Sequence, residues 1–260
     1  MDWEEHLQIA EDTARKAGHM LKSNMSSSRT ITYKGDVDLV TNFDKLSQKI
    51  IIDHITRKFP DHDIMAEEDL SEVKGADLKW IIDPIDGTTN FAHGFPIFCV
   101  SLALENKGKV VLGLVYDPMR EEWFTAIKGK GAFLNKQKIR VSSTCELDKS
   151  LLATGFPYDL RESSNNNIDH FVNFATRVQA IRRCGSAALD LCYVACGRFD
   201  GFWELKLNPW DVAAGTLILT EAGGCVSDFK NREFSIYSLE ILGSNGMIHE
   251  QMVKVLDHHA

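Results

Sequence analysis

The chain has 260 residues, 44% hydrophobic and 25% charged, with a formal net charge of −8. That length buries a substantial core, and that composition excludes disordered and fibrous classes. An acidic surface repels phosphate-rich polymers unless metal ions or a basic patch intervene, so direct nucleic-acid binding is not expected.

In chain order, Trp3, Leu7, Ala10, Ala14, Ala17 and Leu21 recur at helical spacing across residues 2–22. The same segment is charged throughout and lacks the apolar block of a signal peptide, and no apolar run approaches the ~20 residues that span a membrane. Thr41 predicts the cap of a second helix ending near Lys58, with Leu46, Ile50 and Ile55 inward. DIMAEE (63–68) and KWIID (79–83) read as strands that end in acids. Two apolar runs from Phe98 to Tyr116 flank NKGK (106–109) as a hairpin, and Trp123–Ile127 and Gly131–Leu134 extend an antiparallel sheet. Past a seam near 140–150 the rhythm changes to strands alternating with helices. LLATGF (151–156) is a strand and SSNNN (163–167) a solvated loop, and Asp169–Val178 is a helix followed by a short strand at Ala180–Arg182. Ser186 caps a helix ended by Gly197, and FDGFWEL (199–205) is a strand. Pro209 starts a helix stopped by Gly223–Gly224, and a last helix follows Asn245. The pattern is mixed α/β in one domain, 1–260. Six cysteines without a C-x-x-C pair, Cys192 and Cys196 included, read as core side chains in a reducing, cytoplasmic setting.

The chemistry concentrates in IIDPIDGTTNFAHGFP (81–96). Pro84 fixes its own φ and biases Asp83 toward an extended shape, so Asp83 ends a strand and Asp86 follows after a bend. Two carboxylates with the Ile85 carbonyl between them suit a hard cation such as Mg²⁺, which takes oxygen ligands, waters and substrate phosphate. Gly87 lets its amide approach an anion closely, and the Thr88 region offers free amides at a helix start. The plain alternative is an Asp-Pro-x-Asp-Gly turn with solvated acids. Glu67, Glu68, Asp44 and Asp211 also sit at element ends, where each alone reads as a favourable helix-terminal or loop charge. Covalent chemistry of the D-x-D-G-T type is excluded, because the position two before Asp86 is Pro84. No Walker loop, H-E-x-x-H or G-x-S-x-G occurs.

Three blocks resemble the inositol monophosphatase family: WIIDPIDGTTNFAHGFPIFCVSLAL (80–104), WDVAAGTLILTEAGG (210–224) and the weaker DLVTNFD (38–44). RRCGSAALDLCYVACGRFDGFWEL (182–205) is similar to bacterial members in particular. The resemblance covers essentially the whole chain. It implies a layered αβαβα sandwich of the sugar-phosphatase type: an N-terminal helix pair and antiparallel sheet, then a smaller mixed sheet with helices. It also implies a phosphatase acting on inositol 1-phosphate and related polyol phosphates with two to three Mg²⁺ ions, sensitive to lithium, as a homodimer. By matching position, Glu67, Asp83 and the Ile85 carbonyl hold a first ion, and Asp83, Asp86 and Asp211 a second. A third, weaker ion faces Glu67, with Asp44 near its waters. Gly87 and Thr88 bind phosphate, Gly185, Ala187, Glu204 and Asp211 meet the substrate, and Glu67, Thr88 and Asp86 carry the catalysis. Where the family usually has Gly-Glu-Glu, this chain has Ala66-Glu67-Glu68. One alternative keeps the same chemistry on fructose 1,6-bisphosphate, NADP or 3′,5′-bisphosphate nucleotides; another, of a different class, is a partner protein, since some bacterial relatives join transcription complexes. His93 reads as a loop residue rather than a catalytic acid, Arg182 and Arg183 as structural or interface residues rather than contacts to substrate phosphate, and Trp210 as packing behind the acids.

Overall fold

Strand residues alternate between two faces, and here the alternation sorts apolar side chains into three cores. The computed structural model describes residues 2–27, 31–33, 39–68 and 74–257. Asp38, the first acid of the DLVTNFD block, lies outside them. The chain opens with α1 (Glu4–Ser23), the antiparallel pair β1 (Ile31–Tyr33) and β2 (Leu39–Thr41), and α2 (Asn42–Lys58). It continues through β3 (Asp63–Ala66), β4 (Leu78–Asp86), the short α3 (Thr88–Ala92), β5 (Cys99–Asn106), β6 (Lys109–Asp117), β7 (Glu122–Ile127), β8 (Gly131–Leu134) and β9 (Gln137–Lys138). Strands β3 to β9 pair in sequence order into a single sheet. A second sheet, ordered β11-β10-β12-β14-β13, is built from β10 (Leu151–Thr154), β11 (Ala180–Arg182), β12 (Gly201–Leu205), β13 (Cys225–Ser227) and β14 (Glu240–Ser244). Helices α4 (Ile168–Ala175), α5 (Ala187–Ala195), α6 (Pro209–Glu221) and α7 (His249–Asp257) connect and cover these strands.

The layers are helix, sheet, helix, sheet, helix. In β4, Trp80 and Ile82 join the core under α1 and α2, while Ile81 turns to the middle core with α5 and α6. In β12, Phe202 faces that middle core, and Trp203 and Leu205 face the outer one under α4 and α7. By the same period, Asp83 shares the face of Ile81, and Glu204 that of Phe202. Both carboxyls therefore point into the middle layer. Helix α6 lies between two sheets and is apolar all round, with Val212 to Leu219 buried. Its charged groups are confined to its ends, and mid-helix Thr216 donates its hydroxyl to the Ala213 carbonyl at 3.1 Å.

Three expectations need correction. Leu46 is 42% exposed. Helix α2 packs on α1 and β4 through the row Phe43, Ser47, Ile51, Ile55, which turns Leu46 to solvent. The first sheet is not wholly antiparallel: β3 runs parallel to β4, with Ala66 beside Ile82, which the connection through 67–77 is long enough to permit. Asn167 is buried rather than solvated. Its Nδ2 donates to Thr154 Oγ1 at 2.9 Å and to the Gly155 carbonyl at 2.7 Å, and its Oδ1 accepts from Trp203 Nε1 at 2.8 Å. All six cysteines are free, Cys99 and Cys192 fully buried. No helix among the described residues is long and apolar enough to cross a membrane.

Candidate active site

The middle layer ends in a cleft of ≈170 Å³ where strand ends meet helix starts. At the end of β4, Asp83 Oδ1 accepts from the Ile85 N–H at 2.9 Å, which folds the chain back across Pro84 and presents Asp86. Gly87 follows at φ +97, and a Cβ there would press on the carbonyls of Ile97 at 3.0 Å and Gly185 at 3.1 Å, so only glycine fits. Asp86 Oδ2 accepts from Ser186 Oγ at 2.6 Å and from the Ala188 N–H at 2.7 Å. It thus sits on the positive end of α5, the helix that Ser186 also caps. Asp211 occupies the first turn of α6, its Oδ2 accepting from the Asn208 N–H at 2.6 Å. The parallel pairing of β3 with β4 carries Glu67 to the same end of the sheet as Asp83.

Glu67, Asp83, Ile85, Asp86, Gly87, Thr88, Gly185, Ala187, Glu204 and Asp211 all line this cleft. Asp44 does not. It is fully buried, its Oδ2 accepting from the Thr41 N–H and hydroxyl at 2.7 and 2.6 Å, and it reaches the cleft through Thr88, whose Oγ1 donates to Asp44 Oδ1 at 2.9 Å. The Ile85 carbonyl, also 2.9 Å from Thr88 Oγ1, competes for that proton. Trp210 lines the cleft and packs on the middle core. Arg183, read as structural or interfacial in preference to a substrate contact, lines the cleft too, while Arg182 and His93 do not. The sequence reading missed Phe156, Tyr158, Asp190 and Lys206. A single acid in the apolar run AALDLCYVA was a signal for Asp190; Lys206 and the loop residues carry none.

The cleft concentrates negative charge. Burial, then the charges of Glu67, Asp86 and Asp211, push Asp83 well above the usual carboxylate range. Burial, then Asp86, does the same to Asp211. Asp86 is raised by burial and held back by its bonds to Ser186 and the α5 amides. Burial, with Asp190 and Asp86 adding to it and Arg183 opposing, lifts the Glu204 carboxyl from 4.5 to about 8. Asp190 is raised by burial, and its Oδ1 has no hydrogen-bond partner.

Among the described residues, no three His, Cys, Asp or Glu side chains are arranged as a metal-holding set by themselves. The lining offers the carboxylates of Glu67, Asp83, Asp86, Asp190, Glu204 and Asp211 and, among the described residues, contains no histidine or cysteine. A hard cation that keeps several waters and takes phosphate oxygens fits such a partial shell; zinc, which in structural sites takes four protein ligands rich in nitrogen and sulfur, does not. Opposite charge would also relieve the mutual repulsion that raises Asp83 and Asp211.

The profile of the inositol monophosphatase family matches residues 2–260. An inositol-1-monophosphatase from Synechocystis is 44% identical over 258 residues, covering 98% of this chain and 90% of that protein. The Nus factor SuhB of Escherichia coli K12 is 43% identical over 251 residues, covering 95% of this chain and 94% of that protein. Among solved structures, an inositol monophosphatase from Anabaena superposes with a TM-score of 0.90 at 42% identity, covering 98% of this chain and 96% of that one. A match of that span, on a fold with the same layers, makes this chain a member of the inositol monophosphatase family and an enzyme of the phosphoric monoester hydrolase class.

Proposed function

We propose that the cleft hydrolyses phosphate monoesters of cyclic polyols, inositol 1-phosphate among them, with Mg²⁺ as its resident ion. One observation carries the reading: Glu67, Asp83, Asp86 and Asp211, from two strand ends and a helix start, line one cleft together with Gly87 and Thr88. Glu67, Asp83 and the Ile85 carbonyl would hold one ion; Asp83, Asp86 and Asp211 a second; Glu67 a weaker third, with Asp44 behind it. When bound, such ions offset the ester's charge and acidify water, the largest share of an acceleration that reaches ~10²¹-fold for these esters.

The chain's own groups do the rest. The amides of Gly87 and Thr88 hold phosphate oxygens. Thr88 Oγ1 has one proton, and with Asp44 accepting it at 2.9 Å the oxygen's lone pairs are left to orient the attacking water. Glu67 takes a proton from that water as general base, worth about 10²–10⁴-fold. The water attacks phosphorus in line and the ester P–O bond breaks; a second water protonates the departing alkoxide, and the proton on Glu67 returns to solvent, so that ester and water give alcohol and inorganic phosphate. No aspartate is phosphorylated. Glu204, whose carboxyl burial first and then the charge of Asp190 lift to about 8 in the metal-free cleft, meets the polyol hydroxyls beside Gly185 and Ala187.

The reading includes lithium competing at the Asp86 and Asp211 site, a homodimer and a cytoplasmic setting. A second role as a partner in a transcription complex is favoured by the name of the SuhB relative. Phosphate release from inositol 1-phosphate, fructose 1,6-bisphosphate, NADP and a 3′,5′-bisphosphate nucleotide, in EDTA, in Mg²⁺ and in Mg²⁺ with Li⁺, tests it. Release from the inositol ester that needs Mg²⁺ and falls with Li⁺ is expected. Silence on every ester leaves the partner role standing, and release undiminished by EDTA refutes the Mg²⁺ assignment.

A further inference from the structure

Seven non-glycine residues among those described have positive φ, and Lys206 (φ +58) is the one that lines the cleft. A lysine in the left-handed region costs conformational energy that glycine would avoid, and such outliers gather where a site needs a side chain held in place. The Lys206 side chain ties β12 to the loop that follows β10. Its Nζ donates to Asp159 Oδ2 at 2.5 Å and to Ser163 Oγ at 3.0 Å. Asp159 and Ser163 close a tight turn, with the Glu162 and Ser163 N–H groups both donating to the Asp159 carbonyl. The other oxygen of Asp159 is buried without a hydrogen-bond partner, so losing the lysine would leave that carboxylate poorly compensated.

The loop tied down this way rises beside the hydroxyl-reading end of the cleft. It leaves β10 at Gly155, where a Cβ would stand 2.0 Å from Glu204 Oε1. It then presents Phe156, Pro157 and Tyr158 to the cleft, the last 60% exposed. Its far base is fixed by the buried Asn167. Two aromatic rings and a proline beside a carboxyl make a wall with an apolar face, suited to the C–H face of a ring whose hydroxyls turn to Glu204.

We infer that Lys206 is a selectivity residue, a positioning group that holds the 156–163 loop as the wall facing the ester's alcohol. A cyclic polyol then fits and a bulkier alcohol is turned away. The inference rests on the phosphatase reading above and adds the device that sets substrate size. Lys206 acts through the loop and touches no reacting atom.

The test measures kcat and KM, in Mg²⁺, for inositol 1-phosphate and for the bulkier 2′-AMP in wild type, Lys206→Gly, Asp159→Asn and the double variant. Glycine suits the left-handed backbone, so Lys206→Gly removes the tether without adding strain; its melting curve is recorded alongside. The ratio of kcat/KM for the inositol ester over that for 2′-AMP is expected to fall about threefold or more in each single variant, chiefly through KM for the inositol ester, as expected for a partly exposed ion pair. The double variant should match the singles, because both ends belong to one interaction. A wild-type ratio in folded Lys206→Gly overturns the inference while leaving the phosphatase reading intact. Wild type silent on both esters removes that reading, and the inference with it.

Discussion

Glu204 offers the sharpest quantitative test of the cleft's electrostatics. It is buried on β12, with Asp190 on α5 and Asp86 at the end of β4 adding negative charge and Arg183 opposing, and its carboxyl is lifted from 4.5 to about 8. A carboxyl raised in the fold keeps a proton that the unfolded chain has already released, so it lowers stability as pH climbs from 4.5 to 8 and has no further effect above. Taken against a pH below both values, the loss is about 1.4 kcal/mol at pH 5.5 and about 4.7 kcal/mol at pH 9, a difference of about 3 kcal/mol. Glu204→Gln keeps the shape and removes the titration. Urea unfolding of the metal-free protein at the two pH values should therefore show wild type losing about 3 kcal/mol more than the variant across that interval. With Mg²⁺ present the difference should shrink, because a cation offsets the charge of Asp86. Parallel behaviour of the two proteins, within about 0.5 kcal/mol, would refute the picture of a buried carboxyl crowded by other acids.

Asp86→Asn and Asp211→Asn should each cut kcat at least about a hundredfold with an unchanged far-UV spectrum, and near-normal turnover would remove these residues from the chemistry. Ser186→Ala removes both the α5 cap and the 2.6 Å bond to Asp86, for a loss of about 2 kcal/mol and a fall in Tm of about 4–8 °C. A melting curve within a degree of wild type would show that the hydroxyl serves neither group.

How much of this was legible in the chain divides by distance along it. The cap at Thr41, the cap at Ser186, Pro209 at the head of α6 and the Asp-Pro-x-Asp-Gly bend are local, and each lies where the residue pattern predicts. The phase of α2 was not legible. The run IIID at 50–53 fits more than one helical face, and contact with α1 and β4 selects the row through Ile51 rather than Leu46. Asn167 sits in a polar run that reads as loop, and its partners Thr154 and Trp203 lie 13 and 36 residues away. The bond from Ser186 to Asp86 spans 100 residues. The left-handed backbone of Lys206 leaves no local mark, since nothing in LKLNP calls for it.

The position of the cleft follows from the apolar middle layer more than from the acids. Helices α5 and α6 are buried along their length between two sheets, so their backbone amides can meet polar partners only at their ends. Both begin on the same side of the molecule, where β4 delivers Asp83 and Asp86 and β12 delivers Glu204. Ser186 caps one helix and Asp211 stands in the first turn of the other, and the same two groups hold or join the carboxylate cluster. The features that close the helices and those that build the site are thus the same residues. This is why folding signals coincide with those of the proposed site in RRCGSAALD and NPWD, and why the acids endure a mutual repulsion that folding alone would select against.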